Sequence, residues 1–238
     1  MHKILVLNSK GGCGKSTIAT NLAGYYSAQG AVTSLMDFDC QGTSTKWLSL
    51  RGDLNPPIHG ISAFSQHGEM TRSWQMRVSR DTDWVISDAP AGVSGIQLRD
   101  YVQRADTIII PVLPSPIDIH AAAHFIQDVL IIGKINTQFT QMAVVANRVR
   151  ENTRVYRDLR NFLASLKLPF IASLHDSQEY MRAAESGLSV YELKTPRSKI
   201  VFQHWAPMLA WLQARKNKAE NSTRPNPYPI LHTKSQKY

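Results

Sequence analysis

Cysteine is almost absent from this chain: Cys13 and Cys40 are the only two in 238 residues. Two thiols cannot build a disulfide framework, so an apolar core must hold the fold, and a reducing compartment is the natural setting. Long hydrophobic runs are missing as well, so no membrane-spanning helix of about 18 apolar residues is expected. The opening MHKILVLNSKGG is basic and then apolar. Its apolar stretch is too short for a signal peptide and no small-residue cleavage site follows, so it reads as a first core strand. Charged residues make up only 19% and apolar residues 43%. That balance excludes a disordered or collagen-like chain, and the length suits one large domain or two small ones.

What charge there is lies unevenly. Residues 1–147 hold 11 Lys or Arg against 11 Asp or Glu, whereas residues 148–238 hold 16 against 7. The whole net charge of +9 therefore sits in the last 91 residues. Such asymmetry points to a polyanion at the C-terminal part, nucleic acid before anionic lipid.

Apolar runs bounded by turn residues recur at 4–8, 32–38, 84–89, 107–113, 142–149 and 170–174. Runs without polar alternation fit strands buried on both faces of a parallel sheet. Between the first two, Ser16 to Gln29 sets Ile18, Ala19, Leu22, Ala23 and Tyr26 on one helical face, and Gly30 follows as a stop. Ser115, Pro116 and Asp118 read as an N-cap, a first-turn proline and an N3 acid, opening a helix through about Leu130. Further helices are expected at Arg154–Leu166, Ser177–Ser186 and Lys199–Lys216. This alternation predicts an α/β fold: a doubly wound, mostly parallel sheet with helices on both faces. Residues 52–80 are polar, with Pro56, Pro57, Gly60 and Gly68, and are expected to hold one irregular helix near 61–66. Residues 1–216 read as a single domain and 217–238 as a flexible polar tail.

Lys10-Gly11-Gly12-Cys13-Gly14-Lys15-Ser16-Thr17 lies directly after the first strand and before the first helix. In that setting the glycines let backbone N–H groups wrap phosphates, and the helix N-terminus adds its positive end. Lys15 would reach the β- and γ-phosphates and the Ser16 hydroxyl would ligate Mg²⁺. Ser9 stands where a standard loop has its first glycine, with Lys10 behind it. Lys10 is not needed to hold the triphosphate of its own subunit, and could serve a facing subunit as an arginine finger does. Asp37 and Asp39 end the second strand on one side of it, where the sheet's C-terminal edge lines the ligand crevice. Asp39 suits the attacking water and Asp37 the Mg²⁺ shell. Asp88 ends the strand WVISD, the pattern of a Walker B acid. Asn147, ending AVVAN, offers an amide that can read an adenine edge.

The segments KGGCGKST, MDFDCQGTST, WVISDAPAG, TIIIPVLPSPIDI and VVANRVREN run in that order over about residues 3–150. They resemble the ParA/MinD family of deviant-Walker ATPases, within the SIMIBI class of P-loop proteins. SLHDSQEYMRAAESGLSVYEL resembles the family's later stretch. The resemblance implies an ATP- and Mg²⁺-dependent homodimer sandwich in which Lys10 is the signature lysine that crosses to the partner's nucleotide. It likewise implies that Asp39 is critical for hydrolysis, that Asp88 is the Walker B acid and that Asn147 contacts adenine. Cys40 replaces the family's usual proline after the second acid. Two thiols near one phosphate loop leave a redox role open.

Composition separates the branches. No cysteine follows Cys40, which excludes relatives that ligate an iron–sulfur cluster late in the chain. Pro225, Pro227 and Pro229 interrupt the tail, so a membrane-binding amphipathic helix is not expected there. Tyr228 and Tyr238 are too few for the tyrosine cluster of the kinase relatives. The phosphate loop begins at residue 10, so no helix-turn-helix region is expected ahead of it. The small ParA type remains, whose ATP-bound dimer binds DNA without sequence preference. Arg148, Arg150, Arg154, Arg157 and Arg160 form one basic cluster. Lys194, Arg197 and Lys199 form a second, and Arg215, Lys216 and Lys218 a third. The expectation is a cytoplasmic, nucleoid-associated ATPase that partitions or positions a plasmid, chromosome or protein assembly. A cargo-linked adaptor would stimulate its hydrolysis. The alternatives are a MinD-like membrane-surface regulator and, behind it, a metabolic ligase-type enzyme, which has no clear use for Lys10.

Overall fold

The computed structural model describes residues 1–64, 78–133, 135 and 139–220. Seven strands form one parallel sheet: β1 (His2–Val6), β2 (Thr33–Asp37), β3 (His59–Ser62), β4 (Trp84–Asp88), β5 (Thr107–Val112), β6 (Gln141–Val149) and β7 (Phe170–His175). Their order is β3-β2-β4-β1-β5-β6-β7, so β1 is central and its neighbours are β4 and β5. Nine helices lie among the described residues. They are α1 (Lys15–Ala28), α2 (Thr43–Ser49), α3 (Gly95–Gln103), α4 (Pro116–Ile131), α5 (Arg154–Ser165), α6 (Glu179–Glu185), α7 (Val190–Leu193), α8 (Pro196–Gln203) and α9 (Ala206–Glu220).

Strand residues alternate between two cores. Leu5, Ile108, Ile110 and Val144 face α3, α4 and α5 in one. Ile4, Val6, Ile109 and Val145 face α1, α2 and α6 to α9 in the other. Both faces are covered, as the unbroken apolar runs require. The five α1 residues expected on one face are all buried in the second core. Gly30 takes φ 81° after α1, a left-handed stop that an L side chain would strain. Ser115 caps α4 by accepting from Asp118 N at 3.1 Å.

Three expectations are corrected. Residues 61 and 62 are not helical: β3 pairs with β2 from Ser34↔His59 to Asp37↔Ser62. An edge strand needs only one apolar side for pairing, here Ile61, so its polar composition hid it. Residues 65–66 of the expected helix lie outside the described residues. The helix expected over Lys199–Lys216 is two helices, broken at His204 and Trp205. Pro207 has no N–H to give and its ring clashes with the preceding turn, so the chain restarts there as α9. α9 then runs to Glu220, past the expected tail boundary at 217; residues 221–238 lie outside the described residues.

Candidate functional site

β1 ends at Val6 and the chain loops through residues 7–14 into α1. Gly12 and Gly14 have φ 74° and 95°. A Cβ on Gly14 would lie 2.1 Å from Asn147 Nδ2, so glycine is required by backbone and by space. Asn147, 5% exposed, donates from Nδ2 to the Cys13 carbonyl at 2.8 Å and accepts from Arg148 N at 3.0 Å. Its amide therefore braces the phosphate loop in this structure. Asn8 is a second brace, unforeseen in the sequence: it donates to the Pro111 carbonyl at 2.7 Å and accepts from Lys10 N at 3.1 Å.

Lys15 folds over the loop and donates to the Lys10 carbonyl at 2.8 Å. Among the described residues no carboxylate forms an ion pair with it, so a nearly buried cation faces the cradle with only neutral partners. The Cys13 thiol is buried, and burial pushes its pKa up despite the charge of Lys15. A neutral buried thiol is unreactive, while Cys40 stands exposed on the loop after β2.

Asp37 and Asp88 are register partners at the C-terminal ends of adjacent strands. Asp37 accepts from Asp39 N at 3.0 Å, Thr45 N at 2.8 Å and Thr45 Oγ1 at 3.0 Å. Its carboxylate holds the start of α2, at the strand end where the Mg²⁺ shell is expected. Asp88 accepts from Ser44 Oγ at 2.8 Å through Oδ2, and among the described residues no donor meets hydrogen-bond geometry at its buried Oδ1, although the Ser16 hydroxyl lies close enough to act on the carboxyl. Burial pushes the Asp88 pKa up to about 6, with the Ser16 and Ser44 hydroxyls pulling it back and Asp37 adding to the rise. Asp39 is half-buried and accepts from Gln41 N at 2.9 Å, a turn that shapes the loop after β2.

Lys10 leaves the cradle. Its Nζ pairs with Asp118 Oδ1 at 2.8 Å, in the first turn of α4. Burial works against the Asp118 charge, but hydrogen bonds from Lys10 and Ser115 outweigh it and hold the carboxyl below its ordinary range.

The basic residues divide. Arg148, Arg154, Arg157 and Arg160 are exposed, and Arg148 sits at φ 52°, rare for a side chain of its size. Arg150, 77% exposed in its side chain, meets Asp176 at 3.0 Å. Lys194, Arg197 and Lys199 are exposed around the α7–α8 turn. Lys216 departs from the expectation of a DNA contact. Its Nζ lies 3.3 Å from Asp83 and 5.1 Å over the Trp84 ring, with its side chain only 13% exposed. Beside it, Arg215 lies over Trp211, and Lys218 is exposed.

Among the described residues no three His, Cys, Asp or Glu gather to hold a metal. The donor set is instead that of a hard cation sharing phosphate oxygens: one carboxylate oxygen without a partner, and the Ser16 hydroxyl. A central strand ending in a glycine loop, a lysine over that loop and two acids on adjoining strands define a phosphate-loop nucleotide-binding protein. The sequence agrees, and the chain belongs to the CobQ/CobB/MinD/ParA nucleotide-binding-domain family, whose pattern matches residues 4–190. It is 29% identical over 194 residues to the maintenance of carboxysome distribution protein A of Halothiobacillus neapolitanus, covering 80% of this chain and 87% of that one. In fold it is similar to apo McdA of Cyanothece, with a TM-score of 0.69 at 18% identity over 90% of this chain and 99% of that one. A plasmid partition protein of Borrelia burgdorferi bound to AMPPNP gives 0.67 at 17% identity, over 88% and 99%. No helix among the described residues is long and apolar enough to cross a membrane.

Proposed function

We propose that the chain is a positioning ATPase. It binds ATP with Mg²⁺, closes into a homodimer sandwich, adheres to DNA without sequence preference and hydrolyses ATP when a cargo-linked adaptor engages it. The observation that carries this reading is the division between two lysines. Lys15 lies over its own phosphate cradle, while Lys10, five residues earlier, reaches out to Asp118 at the mouth. A nucleotide enzyme working within one subunit has no clear use for a second cation turned away from its own cradle. A subunit that lends charge to a facing copy does.

The residues take these roles. The N–H groups of Gly11, Gly12, Cys13 and Gly14, with Lys15, Ser16 and Thr17, hold the phosphates. Asp88 and the Ser16 hydroxyl would hold Mg²⁺, with Asp37 beside them in its outer shell, and the ion would supply charge stabilisation to the phosphoryl oxygens. Asp37 anchors the α2 turn beside them. Asp39 orients the attacking water and accepts its proton. Asn147 leaves the loop carbonyl to meet the adenine edge. Lys10 exchanges Asp118 for the partner's phosphates on closure. Arg148, Arg150, Arg154, Arg157, Arg160, Lys194, Arg197 and Lys199 supply the DNA face, with Arg215 and Lys218 at its margin. The likeness to a carboxysome-distribution protein over most of the chain favours a large protein assembly as cargo, with a plasmid as the second reading.

The test is binding to non-specific duplex DNA with ATP, ADP or no nucleotide, across a salt series. Binding with ATP alone, falling steeply as salt rises, is the expected result. Binding to anionic vesicles in place of DNA would transfer the reading to a membrane-surface regulator.

A further inference from the structure

We propose that Ser44 is a positioning residue for the magnesium-holding acid: its hydroxyl fixes which oxygen of Asp88 faces the cation. The inference rests on reading this crevice as a magnesium–nucleotide site and gives a role to Ser44, which lies within MDFDCQGTST but to which the sequence alone assigns none.

Asp37 and Asp88 stand side by side on β2 and β4, 1% and 0% exposed. Two carboxylates so close and so buried need donors, or the strands cannot hold them. The first turn of α2 supplies side-chain donors to both. Thr45 gives its N–H and hydroxyl to Asp37 Oδ2, and Ser44 gives its hydroxyl to Asp88 Oδ2. Gly42 makes this possible. At φ 63° it turns the chain after Asp39 so that residues 43–45 meet the strand ends, and a Cβ there would press on Phe64 at 3.3 Å.

Ser44 is fully buried, and a hydroxyl has one hydrogen to donate. Giving it to Oδ2 braces the plane of the Asp88 carboxylate and leaves Oδ1 buried with no hydrogen bond among the described residues. A buried carboxylate oxygen with no protein donor is one that a cation can satisfy. Without the Ser44 hydroxyl, Oδ2 would lose the hydrogen bond that holds it, and the neighbouring Ser16 hydroxyl alone would be left to orient the carboxylate. Ser44 also sits five residues beyond Asp39 on the same loop and helix.

The experiment uses the full chain with a non-hydrolysable ATP analogue and Mn²⁺ as a paramagnetic probe, bound metal being read by electron paramagnetic resonance. Ser44→Ala is expected to weaken Mn²⁺ binding about tenfold, the usual effect of removing the partner of a metal ligand. Affinity for the analogue in EDTA stays unchanged, and Ser44→Thr, which keeps the donor, stays near the parent value. Two outcomes overturn the proposal: Mn²⁺ binding by Ser44→Ala equal to the parent, or equal losses in the Ala and Thr variants, which would make side-chain volume the cause. A parent chain that binds no analogue, with or without metal, instead overturns the nucleotide reading itself.

Discussion

Around the phosphate loop, Lys15, Asp37 and Asp88 are 7%, 1% and 0% exposed, and each makes hydrogen bonds at fixed distances. Along α5, Arg154 is 88% exposed and its nearest acid, Asp158, is 3.9 Å away. The two regions use charge in opposite ways. In the crevice, water is excluded, so each charge is strong, costly to bury and intolerant of displacement. On the arginine face, each charge is screened and worth little alone, and the effect comes from the sum. The first arrangement suits a ligand of fixed shape. The second suits a long polyanion read without regard to sequence.

The sharpest test of the crevice is Lys15→Ala. It removes the one cation inside the cradle, and charge-assisted bonds to phosphate are the strong ones, so ATP affinity should fall at least about 100-fold. Calorimetric titration measures it, and a loss under about fivefold would place the phosphates elsewhere. Next is Asp88→Asn. The folded Asp88 pKa of about 6 lies above its ordinary value of 3.8, so the folded state prefers the protonated form. The nucleotide-free protein therefore loses stability as pH rises between those values, by about 3 kcal/mol in all, and stays lower above them. Asp88→Asn removes that penalty. It should raise stability by up to about 3 kcal/mol near pH 7.5 and have little effect near pH 4, as urea melts at the two pH values would read. A variant less stable at the higher pH would mean that the carboxylate is already compensated in the folded chain.

The same division explains what the sequence could disclose. The phosphate loop, the acids at strand ends and the Ser115 cap each lie within a few neighbouring residues, so local pattern was enough to place them. Six of the seven strands were legible for a similar reason, since burial on both faces leaves unbroken apolar runs. Ser44 was not legible, because its partner Asp88 is brought to it only by β2 lying beside β4, and Thr45 because its bond to Asp37 depends on the turn that Gly42 makes between them. Asn8 was missed likewise, for it reaches across to Pro111 on β5. β3 is polar enough to pass for a loop. Pro207, which divides α8 from α9, is a local signal that the apolar spacing over 199–216 outweighed.

On the basic face the expected effects are smaller and additive. Replacing Arg154, Arg157 and Arg160 together by alanine should flatten the plot of log affinity for DNA against log salt by about 2.7, if each contacts one phosphate. Any one of them alone should change it by about 0.9. An unchanged slope in the triple variant would make α5 an idle solvated face and move the contact to the α7–α8 turn.

Lys216 is the smallest test and the one that separates the regions most cleanly. By sequence it belongs with Arg215 and Lys218. By structure its ammonium group lies against Asp83 and the Trp84 ring, beneath the start of β4, while the phosphate loop sits at the opposite end of the sheet. A charge already neutralised by a carboxylate and mostly covered by protein releases few counterions from DNA. Lys216→Ala should therefore leave the salt slope unchanged and lower stability by about 1 kcal/mol, the scale of one part-buried ion pair with a cation–π contact. A fall in slope like that of a single α5 arginine, with no loss of stability, would add the end of α9 to the proposed DNA-binding surface and carry that surface to the opposite end of the sheet.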